Sequence, residues 1–215
     1  MMQERKSNYV KNLIGLFMMT LLVFLFPIMS HASQVVGTYD GQDLYQEGDW
    51  CYILNEDGES VSITGWKGTD TTVVVPNMID GKVVSKIMSE TFFGSETDDV
   101  PIENLTIPDG INIEDVCFCG MVHGWRNLKN ITLPEGLTNI KFGMFVNCSS
   151  LEKITIPNSV KSIGENAFYG CSSLKSIVIP EGVTSIGRMA FLDCKSLSSI
   201  TIPSSVVEIG ASCIL

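Results

Sequence analysis

A proline recurs every 23 residues through the second half of this 215-residue chain. The next such proline follows Pro76 after 32 residues and Pro108 after 26 residues. The regular spacing of 23 residues then joins Pro134, Pro157, Pro180 and Pro203. The segments between these prolines keep their apolar letters and vary their polar ones. Repetition at a fixed period of roughly 20 to 50 residues predicts stacked structural units, each packed mainly against its neighbours along the chain.

Each repeat carries an apolar motif just before its proline. The motif reads Leu-x-x-Ile-x-Ile or a close variant, for example at Leu174, Ile177 and Ile179. Because its last two apolar residues are two positions apart, they point to the same side of a short strand, and the residue between them points outward. Proline has no N–H and therefore ends the strand. The predicted outward positions are Thr106, Thr132, Thr155, Val178 and Thr201.

A second apolar pattern follows each proline. In one repeat it consists of Val183, Ile186 and Gly187 and then the pair Ala190–Phe191. We expect a turn, or a short helical or 3-10 segment, on the wall opposite the strand, with phenylalanine as the largest core side chain. Stacking is required because one coil cannot bury its own apolar face. The repeated cysteines are expected to be free thiols in small apolar slots, at Cys148, Cys171 and Cys194.

The motif and its period are those of leucine-rich repeats. More narrowly, "ITIPNSVKSIGENAFYGCSSLKSIVIP" resembles the BspA-like leucine-rich repeat family of bacterial secreted and cell-surface proteins. The segment "CYILNEDGESVSITGWKGTDTTVVVPNMIDGKVVSKI" is similar to the lead-in that often precedes those repeats, so the resemblance covers about residues 50–215. It implies a right-handed, mainly β solenoid and a role in adhesion to host, extracellular-matrix or neighbouring-cell proteins.

The sequence divides into three predicted parts. Residues 1–32 combine Arg5, Lys6 and Lys11, a long apolar run and Ser30-His31-Ala32, which is the build of a secretory signal. A retained membrane anchor is the alternative, because the apolar run approaches the length needed to span a bilayer. We predict a β cap over residues 33–75, with a hairpin over 50–66, and about five repeat coils plus an incomplete last one over 76–215. The expected location is secreted or extracellular, where the protein could associate with the cell surface.

The last coil is predicted to be incompletely covered. Cys213 and Ile214 take the places that Ala190 and Phe191 hold one repeat earlier, after which the pattern stops. We therefore expect partial exposure of the inner face at Ile200, Ile202, Val206 and Ile209. An uncovered strand edge invites pairing with another chain, so self-association through this coil is a further expectation.

Charge and composition limit the classes of function that the chain can have. Residues 33–115 hold 17 acidic residues and three lysines, whereas 116–215 hold six acidic and eight basic residues. An acidic half disfavours a nucleic-acid partner, since phosphate binding needs clusters of Lys and Arg. Phosphate-binding loops, cofactor fingerprints and paired catalytic carboxylates are not recognisable. We therefore predict no enzyme, no cofactor and no small-molecule substrate.

One group of residues in the longer repeat around residues 117–127 supports an alternative, a metal-binding or nucleophilic site. Cys117, Cys119 and His123 are three potential metal ligands, but tetrahedral zinc requires four and no fourth stands at a usual spacing. A Cys119–His123 nucleophile pair would need both hydrogen-bonding geometry and activation. A metal enzyme or hydrolase in residues 117–127 is thus the least favoured of three functional hypotheses.

The favoured hypothesis is a recognition module with an extracellular protein ligand, on a host or bacterial surface. Solenoids present extended, regular surfaces, and the candidate contact residues are the five outward positions. Neighbouring lysines complete the candidate set, namely Lys129, Lys153 and Lys175. The second hypothesis is a structural spacer, or part of a larger surface protein, without a ligand of its own.

Overall fold

The repeats fold into short parallel strands that stack one coil upon the next. A computed structural model of the protein describes residues 34–88, 100–114, 116–118 and 125–214. Within this part of the chain, six three-residue strands each end two residues before one of the six repeat prolines. The strand-then-proline reading of the motif is therefore confirmed, and the fold is a β-solenoid.

Seven strands precede the first regular repeat. They are β1 (Gln34–Tyr39), β2 (Gln42–Glu47), β3 (Trp50–Leu54), β4 (Ser60–Trp66), β5 (Thr72–Val74), β6 (Met78–Ile79) and β7 (Lys82–Ile87). Six of them form one sheet in the order β1-β2-β3-β4-β7-β6. β3 and β4 form the antiparallel hairpin predicted over residues 50–66. Asp57 closes its turn, because one carboxylate oxygen accepts hydrogen bonds from the backbone N–H groups of Glu59 and Ser60, both at 2.9 Å.

This N-terminal sheet does not end at the expected boundary of residue 75. β7 pairs in parallel with β4, and β6 pairs antiparallel with β7, so the sheet continues to Ile87. β5 lies before that point in sequence but pairs with the first regular repeat strand instead. The two parts of the chain are therefore interleaved between residues 72 and 87. Whether the sheet acts as a cap remains a prediction.

The strands of the repeats form two walls. They are β8 (Asn104–Thr106), β9 (Asn130–Thr132), β10 (Asn139–Ile140), β11 (Lys153–Thr155), β12 (Ser162–Ile163), β13 (Ser176–Val178), β14 (Ser185–Ile186), β15 (Ser199–Thr201) and β16 (Glu208–Ile209). The first wall contains a parallel sheet in the order β11-β9-β8-β5 and a separate parallel pair, β13-β15. The second wall is the parallel sheet β10-β12-β14-β16.

On the second wall the sequence predicts either a turn or a short helical or 3-10 segment, and the structure has short strands followed by turns. Its Val and Ile positions form two-residue strands, with Ile163 opposite Ile186 and Ile186 opposite Ile209. The pairs Met144–Phe145 and Ala167–Phe168 after them lie in turns, and Phe191 forms a bridge to Ile214. The one 3-10 helix within the described residues is η1 (Trp125–Asn127). A strand followed by a turn suits this wall because each coil can hydrogen-bond directly to the next.

Phenylalanine forms the centre of the core. Phe118, Phe145, Phe168 and Phe191 are buried and stack in register, with successive ring centroids 5.4, 5.3 and 5.3 Å apart and interplanar angles of 8° or less. Trp125 packs edge-on against the first ring at 5.1 Å. The buried apolar side chains form one cluster that runs from Tyr52 in β3 to the last described coil.

Glycine follows the second-wall strands because neighbouring coils approach closely there. A Cβ on Gly187 would lie 2.4 Å from the backbone nitrogen of Glu165, and one on Gly164 would lie 2.8 Å from the carbonyl carbon of Lys141. Real Cβ atoms do not approach backbone atoms so closely. These glycines allow the coil spacing that the hydrogen bonds between coils require.

Candidate functional site

The outward side of the first wall is the surface on which the sequence placed its candidate residues. We call the outward side of β5, β8, β9, β11, β13 and β15 the sheet face. Thr106 lies opposite Thr132, and Thr132 opposite Thr155, so these hydroxyl side chains form a column across three coils. In the separate pair of strands, Val178 lies opposite Thr201 in the same way. The structure therefore places all five outward positions on one side of their strands.

Two valines occupy the repeat position that threonine holds in the other first-wall strands. Val178 is 75% exposed, and Val74, which the sequence analysis did not include, is 61% exposed and lies opposite Thr106. An isolated exposed valine is ordinary on a protein surface. On this surface the two valines mark the places where a partner could bury apolar area.

A second column on the sheet face consists of polar side chains that hydrogen-bond to one another. The amide Nδ2 of Asn130 donates to Oδ1 of Asn104 at 2.8 Å, and Nδ2 of Asn104 donates to Oγ1 of Thr72 at 3.3 Å. These side chains occupy the first position of successive strands. Their hydrogen bonds stiffen the sheet face and leave fewer polar groups for a ligand.

The three candidate lysines have different surroundings. Lys129 forms an ion pair with Glu103 at 2.9 Å, and Lys175 hydrogen-bonds to the carboxylate of Glu152. The hydrogen bond from Lys175 and its positive charge hold the pKa of Glu152 below its usual value, and Lys129 adds a smaller effect. The third, Lys153, is exposed and has no acidic side chain within ion-pair distance among the described residues.

Sequence reasoning missed the two carboxylates that pair with these lysines, although a signal was present. Glu103, Lys129, Glu152 and Lys175 occupy the same position in four successive repeats, and their charges alternate in sign. Stacked coils place such residues next to each other. Water screens exposed pairs of this kind and leaves them little effect on stability, so their main effect here is to neutralise charge on the sheet face.

A groove crosses the sheet face between β11 and β13. Its volume is about 280 Å³, and its lining includes Lys153, Thr155, Val178, Glu135 and Pro180. The groove lies where the first sheet ends and the pair β13-β15 begins. Two backbone hydrogen bonds still join these coils ahead of the strands, from the N–H of Ser173 to the Ser149 carbonyl at 3.2 Å and from Lys175 to Glu152 at 3.3 Å. The opening is thus confined to the strands and the turn that follows them.

A second cavity of about 200 Å³ lies beside the turn at Pro134. Its lining includes Gly110, Ile113, Gly136 and Glu114, and the carboxylate of Glu114 accepts a hydrogen bond from Oγ1 of Thr138 at 3.1 Å. The one acidic side chain of this lining is therefore already engaged.

The repeated cysteines are free and buried, as the sequence predicts. Each thiol donates to the phenylalanine carbonyl one coil earlier: Cys148 Sγ to Phe118 at 2.7 Å, Cys171 Sγ to Phe145 at 3.1 Å and Cys194 Sγ to Phe168 at 3.2 Å. Burial raises the pKa of Cys194 to about 12 and also raises the pKa of Cys171 above its usual value. A neutral thiol is a poor nucleophile, so these side chains have a packing role.

The alternative metal or nucleophile site lies partly outside the described residues. Cys117 is half-buried and its thiol hydrogen-bonds to the Gly143 carbonyl at 3.5 Å, whereas Cys119 and His123 are not among the residues that the structure describes. No group of three His, Cys, Asp or Glu side chains within the described ranges is placed to hold a metal ion.

The predicted signal of residues 1–32 also falls outside the described residues. From residue 34 onward, the described segments contain no helix with the length and apolarity needed to cross a bilayer.

The last described coil is less covered than the coils before it. Ile214 bridges to Phe191, as the repeat alignment predicts, but Ile209 is 53% exposed whereas its partner Ile186 is buried. Further inner-face residues of this coil are only partly buried, namely Leu197, Ile200, Ile202 and Val206. The expected partial exposure is confirmed, and the expected self-association stays a prediction.

These features define a class, the leucine-rich repeat solenoid. Six copies of the BspA type leucine rich repeat region match residues 84–214. The chain therefore belongs to the BspA-type leucine-rich repeat family, which confirms the resemblance seen in the sequence.

Solved structures agree with this assignment. A leucine-rich repeat protein of T. pallidum is 30% identical with a TM-score of 0.56, and the match covers 75% of this chain and 79% of that one. A leucine-rich repeat protein from Bacteroides ovatus is 27% identical with a TM-score of 0.63, covering 80% of this chain and 44% of that one. No curated protein sequence matches the chain significantly.

Proposed function

We propose that this chain is a secreted or cell-surface recognition protein that binds an extracellular protein through its sheet face. The observation that carries the proposal is the regular outward column, in which three threonines align across the coils and a 75%-exposed valine, Val178, continues the pattern in the next strand. Strands held in fixed register present a rigid, extended lattice of side chains, which suits a macromolecular partner more than a small molecule.

The location and the adhesive role in this proposal rest on the family. The sequence resembles bacterial secreted and cell-surface members, and the order of charge, apolar run and small residues before Ser33 is that of an exported protein. Adhesion to host, matrix or neighbouring-cell proteins follows from that resemblance. A solenoid by itself does not specify a ligand, because folds host many functions.

We propose further that the protein is not an enzyme. Within the described residues, the thiols of the repeat core donate to backbone carbonyls, and burial raises the pKa of Cys171 and Cys194. These groups are therefore unsuited to nucleophilic catalysis at neutral pH. Metal analysis of the purified protein tests the remaining possibility around His123, because a zinc enzyme there requires stoichiometric metal, and stoichiometric zinc together with hydrolytic activity would contradict the proposal.

The spacer hypothesis is the second candidate, and one observation favours it. The sheet face satisfies much of its own polarity, through the Lys129–Glu103 and Lys175–Glu152 pairs and the hydrogen bond between Asn130 and Asn104. A surface that only separates two other domains would be built in the same way. Direct binding measurements distinguish the two candidates.

The test is binding of the purified protein to immobilised extracellular-matrix proteins, followed by biolayer interferometry. Thr132→Arg on the sheet face should abolish binding by placing a bulky charge in the column, whereas Lys161→Glu should not, because residue 161 is exposed in the turn leading to the second wall. Equal binding by both variants would refute the proposal that the sheet face is the binding surface. The absence of binding by the wild-type protein to any matrix or bacterial-surface protein would favour the spacer.

Export is measured separately. We expect the protein in the medium or on the cell surface with an intact mass that begins at Ser33. A product that still carries Met1 and fractionates with the membrane would contradict cleavage after Ala32.

A further inference from the structure

The groove between β11 and β13 differs from the rest of the sheet face in three ways. It lies where the first-wall sheet is interrupted. It is lined by Lys153, which unlike Lys129 and Lys175 has no acidic partner among the described residues. It is also lined by Val178, which is 75% exposed.

The charges along the groove are asymmetric. Lys153 lies at the start of β11, whereas Glu135 lines the groove beyond the strand ends. An anionic group on a partner is therefore attracted to the Lys153 end and repelled from the Glu135 end. Such complementarity determines the orientation of a partner more than its affinity.

The spacing within the groove matches an extended peptide. One repeat period after Lys153 is Ser176, so Val178 stands diagonally across from Lys153 on the neighbouring strand. Diagonal neighbours on hydrogen-bonded strands are about 7–8 Å apart, and the flexible four-carbon stem of Lys153 accommodates the wider separation of two strands that lack backbone pairing. Side chains two residues apart on one face of an extended chain are separated by about 6.6–6.8 Å, from a rise of roughly 3.3–3.4 Å per residue. An acidic residue and an apolar residue at positions i and i+2 would thus reach both groups.

We infer that this groove binds an extended peptide segment of the partner protein with the pattern acidic-x-apolar. The carboxylate pairs with the Lys153 ammonium, and the apolar side chain covers Val178. This inference deepens the proposed function, on which it rests, by assigning the contact to one part of the sheet face. A sulfated polysaccharide fits less well, because polyanion binding requires several free cations and the two neighbouring lysines are already paired.

The experiment selects a phage-displayed library of random dodecapeptides on the immobilised wild-type protein. Enrichment of Asp or Glu two positions from Val, Ile or Leu is expected. A synthetic peptide of the enriched sequence should bind Lys153→Glu about tenfold more weakly, which is about 1.4 kcal/mol, because charge reversal adds repulsion to the lost pair.

Two further variants test the site without disturbing the fold. Val178→Thr introduces the residue that four other strands carry at this position, and it should weaken the peptide about threefold by removing apolar contact. The control is Lys161→Glu, which has the same charge change away from the groove and should bind like wild type. A peptide with Lys in place of its acidic residue should regain affinity for Lys153→Glu.

The outcomes separate this inference from the proposed function. Peptides that bind Lys153→Glu as tightly as wild type, or a library that yields no enriched sequence, would overturn the groove. Heparin binding that disappears in Lys153→Glu, with no peptide selected, would replace the peptide with a polyanion. If Lys153→Glu and Val178→Thr both still bind matrix proteins, the sheet face remains the proposed binding surface and the groove is refuted as the contact site. If wild type binds neither peptides nor surface proteins, both fail.

Discussion

The phenylalanine stack allows a quantitative prediction for Phe168→Ala. Phe168 is fully buried, and its ring lies 5.3 Å from Phe145 on one side and 5.3 Å from Phe191 on the other. Emptying a buried phenylalanine site costs about 3–5 kcal/mol, and each lost aromatic contact adds about 0.5–1.5 kcal/mol. We therefore expect a loss near the upper end of that range, about 5 kcal/mol in free energy of unfolding.

The same reasoning predicts a difference between two positions of the stack. Phe191 is equally buried but contacts one phenylalanine ring among the described residues, whereas Phe168 contacts two. Phe191→Ala should therefore cost about 1 kcal/mol less than Phe168→Ala, the value of one ring contact. Because a loss of about 5 kcal/mol can equal the whole stability of a domain, Phe168→Leu should be measured alongside, with an expected loss of about 1–2 kcal/mol.

Urea unfolding at equilibrium measures these losses. It should be followed by both far-UV circular dichroism and tryptophan fluorescence, because repeat proteins can unfold in parts. Trp50, Trp66 and Trp125 all precede the regular repeats around Phe168, so coincident transitions would show that the whole chain unfolds together. The control is Lys161→Ala, expected within about 0.5 kcal/mol of wild type. Equal losses for Lys161→Ala and Phe168→Ala would refute the assignment of inside and outside.

Three further predictions concern the thiols, the close approach of coils and the last described coil. At pH 8 the three repeat cysteines of the native protein should resist a thiol reagent and react only after denaturation, because all three side chains are buried and burial raises the pKa of Cys171 and Cys194. Mass spectrometry counts the labels, and native labelling of all three would contradict this prediction. Gly187→Ala should lose about 1–3 kcal/mol by urea titration, since its Cβ would lie 2.4 Å from backbone. Gly136→Ala, with open space around its Cβ, should be neutral or gain up to about 1 kcal/mol. Amide exchange should be faster at Ile209 than at its partner strand, because this side chain is 53% exposed; equal protection would refute this. Sedimentation at several concentrations tests the expected self-association of the same coil.

The repeat register could be predicted almost completely from the sequence. A spacing of 23 residues predicts which residues lie opposite each other, and Ser176 does pair with Ser199, and Ile177 with Ile200. The reason is that residues at equivalent positions of stacked coils face identical surroundings, so the apolar period alone separates inside from outside. The buried phenylalanines and free cysteines follow from the same periodicity.

The N-terminal sheet could be predicted only in part. The local hairpin of β3 and β4 is visible in the sequence because the turn residues Asn55-Glu56-Asp57-Gly58 stand between two runs of strand formers. The parallel pairing of β4 with β7 is not visible, since neither segment carries the Leu-x-x-Ile-x-Ile motif and the proline that mark the regular repeats, although paired residues such as Ser60 and Val83 are one repeat period apart. Such pairing depends on which apolar faces meet in the folded chain.

The candidate site shows the same division between sequence and structure. The sequence by itself determined that Lys129, Lys153 and Lys175 lie on the first wall, because repeat position alone places Lys153 at the start of β11 and the other two directly before β9 and β13. Only the tertiary structure decided that two of these lysines are neutralised by carboxylates of neighbouring coils, while Lys153 borders a groove. The physical reason is that periodicity reports which wall a residue belongs to. Ion pairs and grooves depend instead on the distances between particular side chains and on where the sheet between adjacent coils is interrupted.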